Sequence, residues 1–130
     1  MSKLTLRLMD ETFAIHSLAA NSEIPEQVFA AKVFFIAKTF EEVSIVLPQH
    51  VQLPSDDVEK DWRALEVVGP LDFTLTGILS NISAVLAKEK ISIFAISTFD
   101  TDYILVKNNT VRAATSALQA NNYQISAPNL

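Results

Sequence analysis

Apolar and polar positions in the second half of the chain change their period in a regular order. Residues 62–68 alternate between apolar and polar side chains, which is the pattern of a half-buried strand. From Leu75 to Leu86 the apolar residues recur at intervals of three and four, which predicts a helix with one apolar side. The remaining predicted elements are two apolar strands, a helix and a short strand, at 91–96, 103–106, 111–120 and 123–125. This order of strand, helix, strand, strand, helix, strand predicts a βαββαβ ferredoxin-like unit.

The first half shows a looser version of the same pattern. Leu4, Leu6 and Leu8 alternate with polar residues, and the charged pair Asp10-Glu11 predicts a tight turn into a second strand over 12–18. Further elements are predicted as a short helix opened by Pro25, strands at 33–37 and 43–47, and a helix start at 54–57.

Two bends in the sequence resemble each other, because each joins two apolar strands through a Thr-Phe pair followed by an acidic residue. These are Thr39-Phe40 and Thr98-Phe99. The similarity suggests an internal repeat, with units at 1–60 and 61–130. We therefore predict an α+β fold of two ferredoxin-like units, with antiparallel sheets that carry helices on one face and with a degenerate first unit.

Composition narrows the class of protein. The 130 residues are 49% hydrophobic and 19% charged, which excludes a disordered chain. The net charge of -5 disfavours nucleic acid as a partner. No apolar run is long enough for a signal peptide or a membrane span, so we expect no membrane association and a cytoplasmic location.

The candidate ligand-binding residues lie in two polar segments of the mainly apolar region from Gly69 to Lys107. One is the loop from Asp72 to Gly77, which enters the predicted helix, and the other is the corner from Ser97 to Asp102. Unpaired N–H groups at a helix start suit a carboxylate, and an aspartate suits an ammonium or guanidinium group. The alternative is that both places are structural, because aspartate also bonds its own backbone in turns.

Nothing in the sequence predicts catalysis, a metal site or a cofactor. With only two glycines the chain has no phosphate-binding loop, and it has no cysteine. His16 and His50 are isolated and lack the spacing of metal ligands, so each is predicted to be a surface residue or a satisfied core residue.

The segments GPLDFTLTGIL and ISIFAISTFDTDYILV in the second half, and KTFEEVSIV in the first, resemble the ACT-type domains of a small tandem family. That family is in the same fold branch as the regulatory domains of aspartate kinase and the cytosolic arginine sensor of the TOR pathway. The resemblance implies paired units that bind a small amino acid between a strand-helix loop of one unit and a strand of its neighbour. Because this chain would have two units rather than four, the resemblance implies a homodimer.

Matched by motif, the implied ligand-binding residues fall into three groups. The strand-helix loop contributes Asp72, Phe73, Thr74, Gly77 and Ile78, the corner contributes Thr98, Phe99 and Asp102, and the first unit contributes Ser44 and Ile45. In this resemblance Asp102 holds the cationic end of the ligand. The expected function is an amino-acid-binding regulatory or sensor module, and the alternative is an interaction or dimerisation module without a ligand.

Overall fold

A computed structural model describes residues 4–68 and 77–127 of the chain. It contains seven strands and three α-helices within those residues, and a 3-10 turn at Asn108–Thr110 leads into the last helix. In chain order the elements are β1 Thr5–Ala19, α1 Glu26–Phe29, β2 Phe35–Lys38, β3 Glu42–Pro48, β4 Asp57–Val67, α2 Ile78–Lys88, β5 Ile93–Ser97, β6 Asp102–Lys107, α3 Val111–Ala120 and β7 Gln124–Ser126. The predicted βαββαβ order of the second half is confirmed by β4, α2, β5, β6, α3 and β7.

The chain packs as two compact units. One consists of residues 11–62 and is called the inserted unit; the other consists of the described residues up to Asp10 and from Arg63 onward and is called the host unit. Strands β1 and β4 each contribute residues to both units. Packing thus groups the first residues of the chain with its second half, whereas the ranges 1–60 and 61–130 remain a prediction about sequence domains.

The host unit has the strand order β7-β1-β4-β6-β5, in which β7 is parallel to β1 and β5 is antiparallel to β6. Helices α2 and α3 bury Ile82, Leu86 and Leu118 in its core, together with strand residues such as Leu65 and Ile104. Burial of each such side chain contributes about 1.5–3 kcal/mol of transfer free energy. The host unit is therefore an α+β ferredoxin-like fold, as predicted.

The inserted unit has the strand order β2-β3-β1 and a smaller core. One core cluster of this unit contains the fully buried residues Val28 from α1 and Val43, Ile45 and Leu47 from β3. Phe13 of β1 is also fully buried. Helix α1 is a single turn, and residues 11–62, all of which the structure describes, contain no other α-helix. This is the degenerate unit that the sequence predicts.

The predicted turn at Asp10-Glu11 is wrong, because β1 runs without a break from Thr5 to Ala19. Asp10 is exposed and Glu11 is half-buried, so neither carboxylate is forced into a core. A strand accepts charged residues at positions that face water, which is why this charged pair does not end the strand.

The predicted helix start at 54–57 is also wrong, because β4 begins at Asp57 and continues to Val67. The first five residues of this strand are exposed, which removes the apolar alternation by which a strand is recognised. Asp61 has a φ of 68°, and its N–H is bound by the Gln49 side-chain oxygen at 2.6 Å. A side chain thus satisfies a backbone donor where the strand conformation is interrupted.

Candidate ligand site

The corner between β5 and β6 is a tight turn in which Thr98 makes three hydrogen-bond contacts with Thr101. The Thr98 N–H donates to the Thr101 carbonyl at 2.8 Å, and the Thr98 hydroxyl lies 3.1 Å from the same carbonyl and 3.3 Å from the Thr101 amide nitrogen. Phe99, at the tip of this turn, is 81% exposed. These local hydrogen bonds define the conformation of the turn.

Thr101 anchors this corner to the neighbouring strand. Its side chain is buried, and its hydroxyl donates to the Val67 carbonyl at 2.6 Å. Val67 is the last residue of β4, and the chain continues from there toward α2. The corner therefore lies beside the point from which the predicted strand-helix loop departs. Sequence reasoning missed Thr101, although a threonine between two aspartates at the start of an apolar strand marked the position.

Asp102 is half-buried at the first position of β6, directly opposite Ser97 of β5. The Ser97 hydroxyl donates to the Asp102 carboxylate at 2.6 Å. A hydrogen bond to a carboxylate oxygen restricts the rotamers of that side chain. The structure therefore presents an oriented carboxylate next to the Phe99 turn.

Helix α2 begins directly after Gly77, which has a φ of 78°. A Cβ at this glycine would meet nothing within 4 Å, so the need for glycine comes from the backbone conformation and not from crowding. Ile78 is half-buried and packs against the host-unit core. No side chain among the described residues caps this helix start. The other three predicted loop residues, Asp72, Phe73 and Thr74, lie outside the described residues.

Ser44 and Ile45 are consecutive residues of β3 in the inserted unit. Ser44 is half-buried, opposite Ser17 and Ala37 in the flanking strands. Ile45 is fully buried in the core of this unit. Its side chain is thereby committed to the core, and its main chain lies between two paired strands, opposite His16 of β1 and Ile36 of β2.

A polar cluster on three strands of the host unit was missed by sequence reasoning. The Arg7 guanidinium forms an ion pair with Glu66, and the Tyr103 hydroxyl donates to the second Glu66 oxygen at 3.0 Å. Burial raises the pKa of Tyr103, and the hydrogen bond to Glu66 adds to this effect. The sequence signal was weak: Arg7 and Glu66 each stand between two apolar residues, and Tyr103 lies between Asp102 and Ile104.

The histidines do not form a metal site. His50 is exposed, whereas His16 is buried in the inserted unit. Within residues 4–68 and 77–127 no group of three or more histidine, aspartate or glutamate side chains is placed to hold a metal ion. In the same part of the chain, no helix has the length and apolar character needed to cross a membrane.

These features define the class of protein as an α+β ferredoxin-like fold with a polar corner beside a strand-helix junction. Residues 57–120 match the family model described as "ACT domain". The matched segment contains β4, α2, β5, β6 and α3, which are the elements that position the corner and the start of the helix. The ACT-type fold predicted from the sequence is therefore confirmed.

Similar proteins include one from human and two with solved structures. The chain is 31% identical to human CASTOR3P over 102 residues, which cover 68% of this chain and 63% of that protein. It is 27% identical to protein Atu0741 from Agobacterium tumefaciens, with a TM-score of 0.90 over 100% of this chain and 97% of that one. The regulatory subunit of aspartate kinase from Thermus flavus has a TM-score of 0.63 at 9% identity, over 92% of this chain and 98% of that one. At that identity the likeness to the aspartate kinase subunit shows the fold alone. The chain spans less than two thirds of the length of the human relative.

Proposed function

We propose that this chain is a member of the ACT family with a tandem arrangement, and that it acts as a regulatory module that binds an amino acid without catalysing a reaction. The observation that carries the proposal is the hydrogen bond from Thr101 to the Val67 carbonyl. This bond keeps the polar corner next to the end of β4, where the chain leaves toward α2. A ligand at the corner would therefore also reach the segment that leads to the start of that helix.

The chemistry of the corner suits one end of an amino acid. The carboxylate of Asp102, oriented by Ser97, would accept hydrogen bonds from an ammonium or guanidinium group. The first N–H groups of α2, which follow Gly77, would bind a carboxylate, and the exposed ring of Phe99 would cover the aliphatic part of the ligand. In this proposal the predicted loop residues Asp72, Phe73 and Thr74 also bind the ligand, from the loop that precedes α2.

The Ser44 and Ile45 segment supplies the other side of the site in this proposal, from the same chain or from a second copy in a homodimer. Its half-buried serine carries a hydroxyl group without adding charge. An incomplete site in each monomer would make ligand binding and dimerisation depend on each other. Sedimentation velocity with and without ligand measures that dependence.

A thermal-shift screen of the twenty amino acids tests the proposal. A ligand present at about one hundred times its dissociation constant adds about 2.7 kcal/mol to the stability of the folded state. Asp102→Asn should abolish the response to a cationic amino acid, whereas Asp100→Asn, two residues earlier on the exposed tip, should preserve it. A folded protein that responds to none of the twenty, or an Asp102→Asn variant with an unchanged response, contradicts the assignment.

A second function is favoured by one specific observation. Phe40 is fully exposed, at 103%, and Phe99 is 81% exposed at the equivalent position of the other corner. Exposed aromatic side chains at turn tips are typical of contacts between proteins. If the chain is an interaction module without a ligand, Phe40→Ala and Phe99→Ala should weaken self-association while no amino acid stabilises the protein.

A further inference from the structure

Residues 49–56, called the joining segment, connect β3 to β4 in the inserted unit and contain no helix or strand. The end of this segment is attached to β1. The Asp56 N–H donates to the Ser17 carbonyl at 3.1 Å. The Ser55 hydroxyl oxygen lies 2.9 Å from the Nδ1 of His16. Because the segment has no strand pairing of its own, these contacts with β1 help to fix its position.

His16 is a buried imidazole at one of these contacts. Its side chain is only 6% exposed, and its Nε2 is buried and has no hydrogen-bond partner among the described residues. A buried polar atom without a partner is uncommon in folded proteins, because it loses its hydrogen bonds to water. This holds for either tautomer of the neutral ring, since Nε2 is a donor in one and an acceptor in the other.

Protonation makes the buried position of this ring more unfavourable. The imidazolium carries a proton on each nitrogen, so Nδ1 is able to donate to the Ser55 hydroxyl oxygen while the Nε2 proton has no acceptor among the described residues. The ring also becomes a charge, and burial of a charge costs much more than burial of a neutral polar group. Burial accordingly lowers the pKa of His16, and the charge of Lys60 lowers this pKa further.

The charged groups near His16 do not compensate for an imidazolium. Among the residues that surround the same cavity as His16, the one other ionisable side chain is Lys60 of β4. The other polar side chains there are three amides and a hydroxyl, from Gln27, Gln49, Gln52 and Ser55. The acidic residues of the same elements are absent from this lining: Glu11 of β1, Glu26 of α1, Glu42 of β3, Asp56 of the joining segment, and Asp57, Glu59 and Asp61 of β4. A protonated ring would therefore meet a like charge and no carboxylate at this cavity.

We propose that His16 and the joining segment form an acid-sensitive latch in the inserted unit. When the ring is neutral, the segment is closed against β1; when the ring is protonated, the segment opens and water reaches the imidazolium. The segment opens rather than the strand, because β1 is paired with β3 from Phe13 to Ala19, whereas residues 49–56 belong to no strand. The latch lies within one compact unit, so it does not depend on the proposed corner site.

The direction of the pH effect follows from the burial of the ring. The open form exposes His16 to water and therefore binds the proton more tightly than the closed form does. The stability of the closed form is complete above the ordinary pKa of 6.5 and is lost as the pH falls below that value toward the folded pKa. Lowering the pH from about 7.5 to about 5.5 should raise the equilibrium constant for opening by at least about threefold and by at most about tenfold.

Amide hydrogen exchange of the full chain, followed by NMR and corrected for the intrinsic exchange rate at each pH, measures the opening. The reporter is the Asp56 N–H, which is bound to the Ser17 carbonyl, and the control is the Val68 N–H of the host unit, which donates to the Thr5 carbonyl at 2.9 Å. Protection of the Asp56 N–H should fall by at least about threefold between about pH 7.5 and about pH 5.5, whereas that of Val68 should stay nearly constant. Constant protection of Asp56, or an equal loss at both amides, overturns the latch.

Two variants assign the pH effect to one imidazole. His16→Gln replaces the ring by a polar side chain that does not titrate, so it should remove the acid-induced opening. His50→Gln removes the exposed histidine of the joining segment itself and should leave the opening unchanged. Acid-induced opening that persists in His16→Gln, or that disappears in His50→Gln, contradicts the assignment. If His16→Gln does not fold, a nitrogen-detected NMR titration of the unsubstituted chain decides, because a pKa of His16 at or above 6.5 overturns the latch and a lower one supports it.

Discussion

The corner after β2 and the corner after β5 share one turn and differ in how that turn is anchored. In the first, the Thr39 N–H donates to the Glu42 carbonyl at 2.9 Å; in the second, the Thr98 N–H donates to the Thr101 carbonyl at 2.8 Å. In both, the threonine hydroxyl contacts the N–H three residues later, at 3.2 Å and 3.3 Å respectively. The same local sequence thus builds the same local structure twice, which supports the predicted internal repeat.

The anchors differ at the fourth residue of each turn. Glu42 is exposed, and its carboxylate accepts a hydrogen bond from the Ser17 hydroxyl at 3.0 Å. Thr101 is buried, and it donates to the Val67 main chain. A solvent-exposed side-chain contact is weak and exchangeable, whereas a buried bond to a carbonyl fixes the turn. The second corner is therefore the better one on which to hold a ligand-binding side chain in place.

The strands that follow the two corners extend the comparison. The apolar triplet Ile45-Val46-Leu47 in β3 corresponds to Ile104-Leu105-Val106 in β6, and all six residues are buried. The two positions before each triplet differ, because β3 has Val43-Ser44 where β6 has Asp102-Tyr103. Both strands bury the triplet, and of these two pairs only the pair in β6 carries ionisable side chains.

The largest effect on stability is expected from Thr101→Val. The substitution keeps the side-chain shape but leaves the Val67 carbonyl buried without its partner, which should lower the free energy of unfolding by about 1–3 kcal/mol. Thr101→Ser, which keeps the hydroxyl, should recover most of this loss, and Ser17→Ala at the other corner should change little. Urea unfolding measures all three, and an equal loss in Thr101→Val and Ser17→Ala would show that the anchors do not differ.

A smaller and equal effect is expected when the shared turn is altered. Thr39→Val and Thr98→Val each remove one hydroxyl contact to the turn, which should cost about 0.5–1.5 kcal/mol in both cases. Thermal unfolding of the two variants gives the comparison, with Thr5→Val as a control on an exposed strand hydroxyl. If Thr39→Val and Thr98→Val lose clearly different amounts of stability, the two turns share a geometry but the threonine hydroxyls do not contribute equally.

The smallest effect is a change in how stability depends on pH. It is expected only for β6, the strand after the second corner, because Tyr103 lies there. Because the pKa of Tyr103 is raised in the folded state, folding favours its protonated form. The stability that depends on this proton is complete below the unfolded pKa of about 10 and is lost as the pH rises through the folded pKa. Tyr103→Phe should therefore make the stability fall less steeply on the alkaline side of pH 10. Tyr123, whose pKa is also raised by burial, should account for part of the remaining slope, and Tyr123→Phe is the matched measurement.

The sequence predicted the host unit well because its hydrophobic period changes wherever an element changes. The helix around Ile82 and Leu86 and the strand around Ile104 each bury one regular set of side chains. The prediction was wrong where a strand is exposed to water. Asp10-Glu11 in β1 and the start of β4 at Asp57 contain too few apolar residues to show a period of two.

The candidate site was predicted less completely than the fold. The sequence identified Asp102 as a carboxylate at a corner, but its partner Ser97 and the anchor Thr101 depend on strand register, which a single sequence does not reveal. The burial of His16 was not predicted for a similar reason, because only the fold brings its neighbours together. The isolated histidine was predicted to be exposed or satisfied, and it is buried with one ring nitrogen unsatisfied among the described residues.

The parallel pairing of Thr5, Leu6 and Arg7 with Gln124, Ile125 and Ser126 has a consequence for how the chain folds during synthesis. Thr5 and Gln124 are 119 positions apart, so the edge of β1 that β7 covers has no strand there until most of this sequence has left the ribosome. The inserted unit is continuous in sequence, at residues 11–62, so that unit is able to form much earlier. Nascent-chain folding should therefore proceed from the middle of the sequence outward, with closure of the β1 edge as a late step of high contact order.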